Sequence, residues 1–223
     1  PETESPKALY LYRLGEAWHG SMEPKDTFIS YIVLEENGKA KFGYRRALDA
    51  AWKLNDRERP LPLSQEEVWE AGIAYAKTLY TEEEDGFCGF NIGLAWEGNA
   101  WKKREANKYE IGWCGQNGML ANALLCDKEA ETMGFGVLDS WLEKATLPVG
   151  VVASYYDPGQ DRYLEACDLG TAGLAYFEAA QLSEKLGRNG GKYLQAAYQI
   201  CDFAVRVQDG NGRFAKCWHE DGS

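Results

Sequence analysis

Apolar residues return every three or four positions through three long stretches of the chain, and each stretch runs into a glycine-bearing bend. The first stretch, about 64–80, places Val68, Gly72, Tyr75 and Leu79 on one face. The second covers about 129–144. The third, about 192–208, places Tyr193, Ala197, Ile200, Ala204 and Val207 on one stripe. This spacing predicts amphipathic helices with one charged side. Ser64-Gln65-Glu66-Glu67 is a capping box that opens the first of them. The bends fall at Gly86, Gly150 and Gly212, at nearly equal intervals, so one plan is being repeated.

A second kind of helix alternates with the first. The stretches 113–125 and 168–186 are rich in small residues, with Gly115, Gly118, Ala121 and Ala123 in one and Gly170, Ala172, Gly173 and Ala175 in the other. Small residues let a helix pack closely on two sides, which suits an inner layer, whereas the amphipathic helices suit an outer one. Inner helices are expected at 44–54, 113–125 and 168–186, and outer helices at 6–18, 64–80, 129–144 and 192–208. Extended runs at 28–34 and 39–44 flank Glu36-Asn37-Gly38, a strong hairpin signal. The segment 81–109 is long, glycine-rich and aromatic, which marks a functional loop with short strands. The expected fold is all-α: a toroid of αα-hairpins, part of an (α/α)6 barrel, with short β-hairpins in the inter-helix loops and one domain over 1–223. The third unit stops before its inner helix, so the expectation is a fragment of a larger barrel.

The net charge of −11 speaks against nucleic acid or an anionic membrane surface as partner. No apolar run reaches the length of a membrane span and no signal peptide is visible, so a cytoplasmic location is expected. The chain begins at Pro1 without a Met, which leaves room for a lost export signal. Six cysteines without a C-x-x-C pair agree with a reducing compartment. Eight Trp and thirteen Tyr are more telling, because many lie in loops, and loop aromatics stack on the C–H faces of sugars. They also serve to cap the ends of a helical core.

In a ring of inner and outer helices, a pocket forms where the inner helices begin. Acidic residues recur there: Glu110, Asp168, and Glu220 or Asp221. Two carboxylates facing a sugar, one acid and one base or nucleophile, are what glycosidic cleavage uses. An acidic residue at a helix start is also a cap, and the helix dipole lowers its pKa, which suits a base. The acid needs burial against aromatics, and Glu220 beside Trp218 is the expected acid. The expected catalytic set is therefore Asp168, Glu220 and Glu110, with Trp113, Gln116, Asn117, Trp101 and Trp218 lining subsites for a carbohydrate substrate. Zinc is the competing chemistry, with Cys88, Cys114, Cys167, Cys217 and His219 as conceivable ligands. No tight ligand pair occurs among them, so neither metal nor cofactor is assigned. The rest of the ring, or a second copy, is the expected partner.

Two resemblances arise on these residues. Tyr-Glu-Ile-Gly-Trp-Cys-Gly-Gln-Asn at 109–117 and Gly212-Arg213-Phe214 followed by Trp218, on alternating hairpins, resemble the six-hairpin glycosidases. That resemblance implies an (α/α)6 toroid binding carbohydrate in a central cleft, with carboxylates as catalysts. Trp113-Cys114-Gly115, and Cys167 with Gly170-Thr171-Ala172-Gly173, are similar to the zinc-ligand motifs of the lanthionine synthetase C-like cyclases, also toroids. This chain has Asp168-Leu169 where that family carries a ligand histidine.

Overall fold

The structure is a computed structural model, and it describes residues 44–55, 63–112, 116–157 and 162–223. The helix expected at 6–18, the hairpin about Asn37, and Trp113, Cys114 and Gly115 lie outside the described residues. The chain divides into two compact units, Pro1–Pro60 and Leu61–Ser223. The first contributes one described helix, α1 (Tyr44–Asn55). Everything that follows concerns the second, which is mostly helical with short antiparallel strand pairs.

Its order is α2 (Gln65–Leu79), β1 (Tyr80–Glu82), β2 (Cys88–Phe90), β3 (Leu94–Glu97), β4 (Ala100–Lys103), β5 (Tyr109–Glu110), α3 (Asn117–Leu125), α4 (Glu131–Lys144), β6 (Tyr155–Tyr156), β7 (Leu164–Glu165), α5 (Ala166–Lys185), α6 (Gly191–Val207) and β8 (Cys217–Trp218). The capping box at α2 forms as expected: Ser64 Oγ accepts from Glu67 N at 3.2 Å, and Glu67 Oε2 accepts from Ser64 N at 2.6 Å. The buried stripe of α2 is Ile73, Ala76 and Leu79, rotated from the expected one, so that Val68 and Tyr75 are exposed. In α6 the buried residues are Tyr193, Ala196, Ala197, Ile200 and Phe203, close to the stripe read from the sequence.

The three glycine bends are one structure repeated. At each, an amide donates to the carbonyl four positions on, and the glycine amide donates back to the first residue's carbonyl. The pairs are Glu83 N to Phe87 O at 2.8 Å and Gly86 N to Glu83 O at 2.9 Å, then Leu147 N to Val151 O at 2.8 Å and Gly150 N to Leu147 O at 2.8 Å. Asp209 N to Arg213 O and Gly212 N to Asp209 O follow at 2.9 Å each. The three glycines have φ of +83°, +88° and +77°, the left-handed conformation that a side chain resists and this hairpin connection requires. His219–Ser223 makes the same turn a fourth time, with Gly222 at φ +86°.

Two ladders tie successive hairpins together. β5 pairs with β6 (Tyr109 opposite Tyr156, Glu110 opposite Tyr155), and β7 pairs with β8 (Leu164 opposite Trp218, Glu165 opposite Cys217). These are contacts between distant loops and not the local β-hairpins expected there; β1–β2 and β3–β4 are the local ones. The second ladder repeats the first with a fixed offset on each side. Ile111 N donates to Ser154 O and Ala166 N to Lys216 O, both at 2.9 Å. The step from Ile111 to Ala166 defines an inner offset, and the longer step from Ser154 to Lys216 defines an outer one. The packing beneath repeats as well: Trp141 meets Tyr156 edge-to-face, and one outer offset later Phe203 meets Trp218 edge-to-face. Helix α3 is small where it touches its neighbours. A Cβ on Gly118 would come within 2.8 Å of the Ala175 Cβ on α5, and one on Gly134 of α4 within 2.7 Å of the Ala121 carbonyl. The described residues do not close a barrel.

Candidate functional site

The ladders bring the starts of the two inner helices side by side. Buried Ser154 locks them: its amide donates to Tyr163 O at 2.9 Å, and its Oγ accepts from Glu165 N at 2.7 Å. Gly112 then lies flush against the first turn of α5, where a Cβ would come within 2.7 Å of both the Asp168 Cα and its carbonyl oxygen. Glu110 and Asp168 are thereby buried close to one another, at 0% and 1% exposure. Glu165 joins them half-buried, and Cys167 is exposed.

Three carboxyl groups in one place cannot all ionise freely. Burial, then the Asp168 charge, pushes Glu110 up to about 7, and Glu165 adds to the rise. The Tyr155 hydroxyl is near enough to offset part of this shift, yet neither Glu110 carboxyl oxygen has a geometrically complete hydrogen bond among the described residues. Burial and then the neighbouring Glu110 push the Tyr155 phenol up in turn, and burial followed by Glu165 and Asp168 does the same to Tyr163. Exposed as it is, the Cys167 thiol is still partly desolvated, which raises it first, with Asp168 and then Glu165 adding to the rise; its Sγ lies 3.6 Å from Glu165 Oε2. A raised thiol is a poor nucleophile, so the acidic surroundings disfavour cysteine catalysis here. One ligand atom each from Glu165, Cys167 and Asp168 lie within 4.8 Å of one another.

Of the expected catalytic residues, the structure brings together Glu110 and Asp168 and sets Glu220 apart. Glu220 is exposed on the His219–Ser223 turn, at a groove of about 810 Å³ that Arg162, Tyr163, Cys217 and Trp218 also line. Glu220 lacks the burial that raises a carboxyl, and Glu110 has it. The expected equivalence also shifts, because the residue in register with Glu110 is Glu165. Asp168 lies three positions further on, inside the first turn of α5, whose N-cap is Glu165.

The expected subsite residues disperse. Asn117 is a fully buried clamp that accepts from Phe90 N at 2.7 Å and donates to Phe90 O at 2.9 Å and Glu110 O at 2.8 Å. With its amide spent, it is a structural residue. Gln116 lines a separate cavity with Leu79, Phe90 and Met119. Trp101 is 65% exposed on the β3–β4 hairpin, edge-to-face with Trp96. Trp218 is 6% exposed and packs its ring on Phe203, leaving an edge at the groove. Trp113 and Cys114 lie outside the described residues.

Sequence reasoning missed Glu165, and it places Tyr155 and Tyr163 only among the loop aromatics and not beside the carboxyls. The signal for Glu165 is present: with Gly118 aligned on Gly173, Tyr109-Glu110 falls on Leu164-Glu165. No helix of the described residues is long and apolar enough to cross a membrane. Comparison with models of known protein families, with curated proteins and with solved structures finds no match for this chain.

Proposed function

We propose that the protein hydrolyses a glycosidic bond, its stacked hairpins forming part of an (α/α) toroid with the carboxyl cluster at the mouth of the inner helices. The observation that carries this reading is Glu110: a buried carboxyl holding its proton up to about pH 7 beside a second buried carboxyl, Asp168. A carboxyl that keeps its proton, set beside a second carboxyl, is the kind of pair that this chemistry uses. In this reading Glu110 gives its proton to the leaving oxygen as the C–O bond breaks, and Asp168 takes a proton from the water that attacks the anomeric carbon. Glu165 is the most exposed of the three carboxyls. Its strand partner Cys217 and neighbour Tyr163 line the groove, whose volume of about 810 Å³ suits a small saccharide. The test is a screen of aryl glycosides and oligosaccharides, followed by Glu110→Gln and Asp168→Asn on whatever is turned over. The reading fails if no glycoside is cleaved, or if both variants keep full activity.

One observation favours a second reading, in which Glu165, Cys167 and Asp168 hold a divalent zinc ion. Oxygen and sulfur ligands of this kind suit zinc, and one ligand atom of each lies within 4.8 Å of the others. Equimolar zinc retained through desalting and lost in Cys167→Ala would support it; no retained zinc after loading would dismiss it.

A further inference from the structure

We infer that the open face of the α5–α6 hairpin is an interaction surface, and that its partner is another amphipathic αα-hairpin, stacked on α5–α6 as α5–α6 is stacked on α3–α4. The inference rests on the stacking registers, and neither ring closure nor the chemistry at the carboxyl cluster enters it.

The established interface supplies the template. On the inner side, α3 turns Gly118 and Asn122 to α5: Gly118 abuts Ala175, and Asn122 Nδ2 donates to the Ala175 carbonyl at 2.8 Å. On the outer side, α4 offers Leu138 and Asp139: the Leu138 carbonyl accepts from Tyr176 at 3.5 Å, and Asp139 accepts from Tyr193 at 2.5 Å and pairs with Lys192 at 2.6 Å.

Carried forward by the offsets that the ladders set, these four positions fall together in one place. The inner offset takes Gly118 and Asn122 to Gly173 and Phe177, and the outer offset takes Leu138 and Asp139 to Ile200 and Cys201. All four line a single open groove of about 440 Å³ between α5 and α6. Leu174, on the rim, is 51% exposed. Gly173 and Ile200 are buried at the floor of that groove, Phe177 is half-buried and Cys201 is exposed. The positions that one hairpin turns to its successor thus line an open groove on the next, which is continuity with an interface already formed. An open apolar face of this kind marks a contact surface.

The substitutions along the way describe the partner. Gly173 keeps the close approach of Gly118, so the incoming inner helix brings a small residue there, as α5 brings Ala175. Phe177 replaces Asn122, and Cys201 replaces Asp139. The hydrogen bond and the ion pair of the first interface therefore have no counterpart, and the incoming hairpin meets an apolar surface without a matching Tyr or Lys.

The test uses the hairpin known to fill the equivalent place. A fluorescein-labelled peptide of this chain's own residues 166–208, carrying Lys192→Ala and Tyr193→Phe to suit Cys201 in place of Asp139, is titrated with the 223-residue chain, followed by anisotropy, and is expected to bind saturably. Gly173→Trp in the chain fills the groove, and Leu174→Glu sets a charge on its rim. Each is expected to weaken binding by about tenfold or more. Leu174 is half exposed, so its variant keeps the fold whatever Gly173→Trp does. Absence of saturable binding to a chain with native circular dichroism overturns the inference, as does binding that both variants leave unchanged. It is also overturned if the chain dimerises and Leu174→Glu restores the monomer, because the surface then belongs to a second copy.

Discussion

Glu110 and Glu165 hold the same rung of two equivalent ladders, one opposite Tyr155 and the other opposite Cys217. Their surroundings differ. Glu110 is fully buried and Glu165 is half-buried, so one repeated position supplies both a desolvated carboxyl and a more hydrated one. Burial, and then Asp168, is what raises the proton affinity of Glu110.

Stability should therefore fall as pH rises through neutrality. Glu110 moves from an ordinary 4.5 in the unfolded chain to about 7 in the folded one. A raised carboxyl contributes its stability in full below the unfolded value and loses it as pH climbs past the folded value. Between pH 5 and pH 8 the loss is on the order of 2–3 kcal/mol. Urea unfolding at pH 5 and pH 8 should show this decline, and Glu110→Gln should flatten it. Glu83 and Asp85, which Tyr109 and Tyr156 hold below the usual carboxylate range, act in the opposite sense on the acid side.

The same proton should govern turnover of any glycoside the protein cleaves. With Glu110 as the acid, kcat/KM should decline above about pH 7, by about tenfold per pH unit. Glu110→Gln should remove that limb and cost on the order of a hundredfold or more. A pH profile with no alkaline limb near 7 would take the acid role away from Glu110.

Asn117→Ala should lower stability without a specific effect on substrate affinity. The substitution strands the buried amide of Phe90, its carbonyl and the carbonyl of Glu110. Losing such a clamp costs roughly 2–4 kcal/mol, given about 1–3 kcal/mol for each buried group left unsatisfied and partial relaxation. A shift of the urea midpoint with KM unchanged would separate this from a role in binding.

Gly112→Ala should reach the site through the backbone. Its methyl would stand 2.7 Å from the Asp168 Cα and carbonyl oxygen, and neither strand nor helix start can yield freely. A cost of about 1–3 kcal/mol is expected. Glu110 should also titrate nearer its ordinary value as the two carboxyls separate, readable by carboxyl NMR. Gly136, with open space at its Cβ position, is the matched control, and Gly136→Ala should be neutral or mildly stabilising.

Much of the frame was legible in the sequence, because helical periodicity and left-handed glycines are local properties. The helices expected at 64–80, 129–144 and 192–208, the bends at Gly86, Gly150 and Gly212, and the small-residue character of α3 and α5 all follow from residue type and spacing. The site was half legible. Glu110 and Asp168 lie near inner-helix starts, and the structure brings them together. Glu220 shares the acidic spacing but sits on a fourth tight turn, and only the hydrogen bonds of His219 and Gly222 distinguish that turn from a helix start. Asn117 looks like a polar residue at a pocket until its three backbone partners are seen, two of them on Phe90, far back in the sequence. The ladders were not legible at all, since two-residue strands leave no alternating pattern.

The outer offset is longer than the inner one, and the difference has a definite address. The shorter offset holds as far as Gly118 and Gly173, and the longer one holds from Leu138 and Ile200 onward. The extra length of the later hairpin lies between those points, around the connection from α5 to α6, at the end remote from the carboxyls. Growth there leaves the acidic cluster undisturbed. The loop about Gly187 is accordingly the place to graft a tag, a fluorophore or an immobilising tether without touching the chemistry.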